Sequence, residues 1–171
     1  MRRTFAWGDN QLSLRTGVTR SLLANTYPGP HPSEKKMSGV PVPSDSLVDA
    51  SRVYVKADAY GGAGAYAATA IPKGSLVEKG IVRVLTNIDG NENPYVFTWS
   101  DERPNTTWAC GSGCSTFYNT AEEELANTHM ERDFANCSFV ITATKDIAEG
   151  EELLHVYKSK GWRTCFQELN K

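Results

Sequence analysis

Phe117-Tyr118-Asn119-Thr120 and Gly150-Glu151-Glu152-Leu153-Leu154-His155-Val156-Tyr157 close a stretch, residues 110–157, that reads as short strands separated by turns. Within it Phe139-Val140-Ile141-Thr142-Ala143 alternates and is rich in β-branched residues, and Asp146-Ile147-Ala148-Glu149-Gly150 has turn chemistry. The pattern therefore delivers Asn119 and Tyr157, about forty residues apart, to strand ends that can share one pocket. The same texture extends upstream. Val53-Tyr54-Val55 alternates, residues 58–64 form a glycine-rich loop, and residues 65–71 run into the turn Pro72-Lys73-Gly74. Leu76 to Leu85 is rich in Val with period-two character, and Tyr95-Val96-Phe97-Thr98-Trp99 is another short strand. One helix is predicted, Lys160 to Leu169, with Trp162, Phe166 and Leu169 on one face. The expectation is a mostly β domain with a short C-terminal helix.

At 171 residues and 40% hydrophobic, the chain can bury one sizeable core. Eighteen basic against twenty acidic residues give a net charge of −2, which excludes a global field for nucleic acid or an anionic membrane. No apolar run reaches the roughly 20 residues of a membrane span, and the N-terminus lacks the apolar centre of a secretory signal. An intracellular protein of nucleus or cytoplasm is expected. Residues 1–27 carry Arg2, Arg3, Arg15 and Arg20 against the single acid Asp9, which also fits an organelle transit peptide. Pro28, Pro30, Pro32, Pro41 and Pro43 follow in linker composition. Residues 1–45 are accordingly expected to be an arm, and residues 46–171 the folded domain. Of the four cysteines only Cys110 and Cys114 are close, without the second pair of a zinc knuckle, so idle thiols and no metal are expected.

Gly62-Ala63-Gly64 suggests a dinucleotide loop, but Pro72 and Gly74 deny it the helix that its mechanism needs. Taken in order, the features are more specific: Gly-x-Gly, Ile71-Pro-x-Gly74, a Val-rich strand, Tyr95-Val-Phe-x-Trp99, Gly-Ser-x-x-Ser-x-Phe117-Tyr118-Asn119, and Ile147-x-x-Gly150-Glu-Glu-Leu153 ending in Tyr157. This order resembles the SET-domain family of lysine methyltransferases, in particular its compact single-domain members, over residues 52–166. The resemblance implies small curved sheets around a pseudoknot-like crossing, S-adenosylmethionine as cofactor, and a protein substrate presenting a lysine, histones among the candidates. A homodimer is compatible with it. It assigns the cofactor to Gly62, Ala63, Gly64, Tyr66, Asn119 and Thr120, and catalysis to Tyr157. The lysine channel falls to Tyr95, Tyr118, His155 and Trp162, with Phe166 as an alternative aromatic lid.

The departures from that family pattern are specific. Thr120 stands where the family has His, the Cys-x-Pro-Asn tail survives only as Asn127, and His155-Val156 replaces Phe-Asp before the final tyrosine. Cys165 stands alone where other members complete a zinc cluster. Two rival readings follow: a degenerate SET fold that binds a partner protein, motivated by Thr120 and Val156, and a methyltransferase for a small amine. The residue types suit methyl transfer because an in-line displacement needs positioning more than acid or metal. A lysine of unperturbed pKa about 10.4 is helped to shed its proton by a narrow aromatic channel.

Overall fold

The chain's longest strand sets the frame of the computed structural model, which describes residues 43–59, 61–102 and 107–170. In chain order the strands are β1 (Val53–Ala57), β2 (Ala63–Ala67), β3 (Leu76–Leu85), β4 (Phe97–Thr98) and β5 (Trp108–Gly111), then β6 (Asn119–Thr120), β7 (Thr128–Asp133), β8 (Ser138–Ala143) and β9 (Leu154–His155). Most of the predicted arm, up to residue 42, lies outside the described residues. From Asp49 onward the chain is tied to β3, the Asp49 and Lys79 backbones exchanging hydrogen bonds of 2.9 and 3.0 Å.

β1 and β2 form an antiparallel hairpin from Val53↔Ala67 to Ala57↔Ala63. Its turn is closed by Asp58, whose carboxylate accepts the Gly62 amide at 2.9 Å, and Gly61 takes the left-handed backbone that the turn needs (φ +87°). Five strands make the main sheet in the order β4-β5-β3-β8-β7, all pairs antiparallel. A register shift in β3 between Leu76 and Glu78 breaks the strict alternation, and consecutive Val77 and Glu78 are both buried. Val77, Tyr118, Phe139, Ile141, Ile147 and Leu153 join the core between the sheets.

The third pairing positions the site. β6 runs parallel to β9, with Asn119 opposite Leu154 and Thr120 opposite His155. On its other side the same C-terminal segment meets β2 and its extension. The Gly150 and Leu153 amides donate to Ala67 and Ala65, both at 2.8 Å, and Ile71 pairs with Ile147. Residues 147–155 are thus threaded between β2 and β6, which is the form the crossing takes.

The C-terminal helix differs from the expectation. Residues 158–162 are turns, and a 3-10 helix spans Thr164–Asn170. Phe166 and Leu169 are three apart, a spacing that suits three residues per turn as well as 3.6. Gly161 disfavours the first turn of an α-helix.

Glu78 is fully buried. One carboxylate oxygen accepts the Cys114 amide at 2.7 Å and the other the Tyr118 hydroxyl at 2.8 Å. Burial pushes its pKa up to about 7, against the pull of those two donors. Between about pH 4.5 and 7 the native state holds a proton that the unfolded chain has released, so this contribution to stability is full below about pH 4.5 and is lost as pH rises through about 7. Melting temperature across pH 4.5 to 8 should fall more steeply for the wild type than for Glu78→Gln, which cannot ionise. Parallel curves would contradict this assignment.

Candidate active site

Gly64 lies against Asn119. A side-chain carbon added at Gly64 would come within 3.1 Å of the Asn119 amide nitrogen and 3.2 Å of both Glu152 Oε1 and the Tyr66 ring. The missing side chain lets Asn119 donate to Glu152 at 2.9 Å and to Asp58 at 3.3 Å. An amide flanked by two carboxylates against bare strand backbone makes a small anionic cradle. Tyr66 forms its side wall, near Tyr54 and under the Lys56 ammonium at 4.1 Å.

Tyr157 is placed by the strand pairing. Its hydroxyl donates to the Tyr118 carbonyl at 2.6 Å, and its ring packs on Phe166 at 5.3 Å. Thr120 accepts the Tyr157 amide at 3.3 Å, so the residue standing in for the family's His anchors the tyrosine's backbone. Because the phenol's one proton goes to Tyr118, its oxygen keeps lone pairs for a guest. Burial pushes its pKa up to about 12, so the group stays neutral.

His155 is 8% exposed and stacks on Tyr118 at 4.6 Å. The Thr128 hydroxyl gives its proton to the Leu154 carbonyl at 2.7 Å, so its 2.8 Å contact with His155 Nδ1 requires the proton to sit on Nδ1. Nε2 is then a lone pair, buried and without a hydrogen-bond partner among the described residues. Burial lowers the imidazole pKa to about 4.

A cavity of about 350 Å³ joins these groups. Of the expected channel residues Tyr95 and His155 line it, together with the catalytic candidate Tyr157, the alternative lid Phe166, and Thr128 and Met130. Tyr118 stands behind this wall, held by Glu78 and serving through its carbonyl and ring. Trp162 is turned away to Trp108, their rings 6.4 Å apart. Gly62, Ala63, Gly64, Tyr66, Asn119 and Thr120 are outside the lining, and the cradle is separate from the cavity wall. Sequence reasoning missed Thr128, Glu78 and Arg163. Asn127, noted only as a remnant, clamps β9: its carbonyl oxygen accepts the Leu154 amide at 2.8 Å, and its nitrogen donates to the Glu152 carbonyl at 2.9 Å.

The family model for the SET domain matches residues 62–158, more than half of the chain. The chain belongs to the SET-domain family. Gly64, Tyr66, Asn119, Glu152, His155 and Tyr157 fall inside the matched SET domain, whereas Asp58, Trp162 and Arg163 lie outside it. Among solved structures, a Plasmodium falciparum candidate histone methyltransferase superposes with a TM-score of 0.50 at 19% identity, covering 62% of this chain and 92% of its own. An active polycomb repressive complex 2 in the basal state gives 0.48 at 23% identity, over 66% of this chain and 15% of its own. An autoinhibited Chaetomium thermophilum polycomb repressive complex 2 bound to S-adenosylmethionine gives 0.45 at 25%, over 57% and 14%. The likeness to the Plasmodium chain is one of fold. A search of curated proteins finds no match.

Within this SET domain the neutral His155 has a spectroscopic signature. Its side-chain nitrogen resonances should report a proton on Nδ1 that persists from pH 8 to pH 5, with ionisation only near pH 4. Because the folded pKa is depressed, the stability this residue contributes is complete above about pH 6.5 and fades as pH falls towards 4. Titration near pH 6.5 in the folded protein would contradict the buried tautomer.

Proposed function

We propose that this SET domain is an S-adenosylmethionine-dependent protein-lysine N-methyltransferase. The observation that carries the reading is the Tyr157 hydroxyl, bonded to the Tyr118 carbonyl next to Asn119 and bordering an aromatic cavity. The donor set fits the cofactor. Gly62, Ala63 and Gly64 with Asn119 would hold it against strand backbone, and the Asp58 and Glu152 carboxylates beside Asn119 suit a cationic ligand. When bound, S-adenosylmethionine supplies a methyl group on positively charged sulfur.

The chain's own residues act by placement. The Tyr157 oxygen and the Tyr118 carbonyl, 2.6 Å apart, form a pair of adjacent acceptors, suited to weak C–H···O contacts of at most about 1 kcal/mol each with a methyl group that faces both. Tyr95 at the rim, with Met130 and Phe97 further along the wall, presents apolar surface to the lysine stem. That surface disfavours the ammonium form, and the proton leaves to solvent before the amine attacks. The neutral phenol of Tyr157 neither gives nor takes a proton in the working pH range.

Tyr157→Phe tests this reading when melting and methyl transfer are measured on the same protein. Leaving the Tyr118 carbonyl unpaired should cost about 1–3 kcal/mol of stability. Turnover should fall by far more than that loss explains, with cofactor affinity nearly unchanged, the mark of an interaction made in the transition state. Gly64→Val should remove cofactor binding in a folded protein. Full activity in Tyr157→Phe, or unchanged affinity in Gly64→Val, would overturn the assignment.

A further inference from the structure

Arg163 is 3% exposed and forms part of the cavity wall beside Tyr157 and Phe166. Its Nε donates to the Gly90 carbonyl at 2.8 Å and its Nη2 to the Asn93 carbonyl at 2.5 Å, while its plane lies over Trp108 and Phe166 at 5.0 and 4.6 Å. These contacts fix the fork, and the Cys165 side chain and the longer-range pull of Asp89 add to them without forming an ion pair. No carboxylate of the described residues forms an ion pair with it. Asp89, on the loop that Arg163 grips, has its Oδ1 occupied by the Asn91 backbone and side-chain amides at 2.8 and 2.9 Å.

The rest of the wall does not supply the missing charge. Arg132, Lys145 and Lys158 also border the cavity, against a single carboxylate among the lining residues, Glu123. Arg132 spends its Nη1 on Thr98, through the backbone carbonyl and the hydroxyl, and Lys145 donates to the Glu124 carbonyl. Buried charges are ordinarily paired, and a guanidinium is built to grip a carboxylate with two parallel hydrogen bonds. A rigid, desolvated guanidinium held by two backbone carbonyls and Cys165, with no ion pair among the described residues, is half of such a pair.

We infer that Arg163 is a carboxylate subsite of the cavity that holds Tyr157, completed by an anionic group of the bound ligand. The inference rests on the methyltransferase reading for its two carriers: the α-carboxylate of S-adenosylmethionine, or an Asp or Glu side chain beside the target lysine of the protein substrate. The same cationic wall disfavours a lysine ammonium inside the cavity, so it selects the amine form and an acidic context together.

The test uses the full wild-type chain and four ligands followed by calorimetry, so it does not depend on the folding of a variant. One pair is S-adenosylmethionine and its decarboxylated form. The other is two lysine peptides that differ only by Asp or Asn next to the lysine. Loss of the carboxylate should weaken one pair by about 10- to 100-fold, the range for a hydrogen bond to a charged group, and identify the carrier. In Arg163→Met that difference should collapse, and Arg163→Lys should restore part of it. Equal binding within both pairs, with S-adenosylmethionine still bound, overturns the subsite alone and leaves Arg163 a clamp on residues 90–93. Absence of binding by all four overturns the subsite and the methyltransferase reading together.

Discussion

The two-residue parallel pairing of β6 with β9 is the constraint on which the site depends. Parallel strands need a long crossover, and here residues 121–153 make it, carrying β7 and β8 into the main sheet on the way. A pairing of Asn119 with Leu154 and Thr120 with His155 is too short to hold itself. Side chains do the remaining work: Asn127 takes the Leu154 amide, Thr128 gives its hydroxyl to the Leu154 carbonyl, and Thr120 receives the Tyr157 amide. Each is a buried polar group whose loss would strand its partner away from water.

From that pairing a chain of contacts runs from core to cavity. Glu78 in β3 fixes the Tyr118 hydroxyl, the Tyr118 ring carries His155, and the Tyr118 carbonyl receives Tyr157. Tyr118 is therefore a hinge between stability and placement rather than a lining group. The left-handed turn at Gly61 and the bare backbone at Gly64 complete the arrangement from the other side, bringing the β1–β2 hairpin up to Asn119.

The strands were legible because their signals are local. The Val-rich run of Leu76–Leu85 and the alternation at 139–143 coincide with β3 and β8 within a residue. The final helix was misjudged in type and start because Phe166 and Leu169 satisfy two helical periods, and Gly161 favours a turn. Motif order singled out Asn119, His155 and Tyr157, and the β6–β9 pairing brings their segments together. Glu78 could not: an acid within a Val-rich strand reads as solvent-facing until a bulge turns it inward. The family resemblance gave Trp162 to the channel as an aromatic lid, but the turns at 158–162 bring its ring to Trp108, and Arg163 lies at the cavity wall.

Methyl transfer to a lysine amine is the chemistry proposed for this geometry. Incubating the full chain with S-adenosylmethionine carrying an isotopically labelled methyl group and a mixture of lysine-bearing proteins, then locating the label by mass spectrometry, tests it most directly. Label on the side-chain nitrogen of lysine, absent when the cofactor's methyl is unlabelled and lost in Tyr157→Phe, is the result expected. Firm cofactor binding with no labelled lysine in any protein, or label confined to small amines, would contradict it.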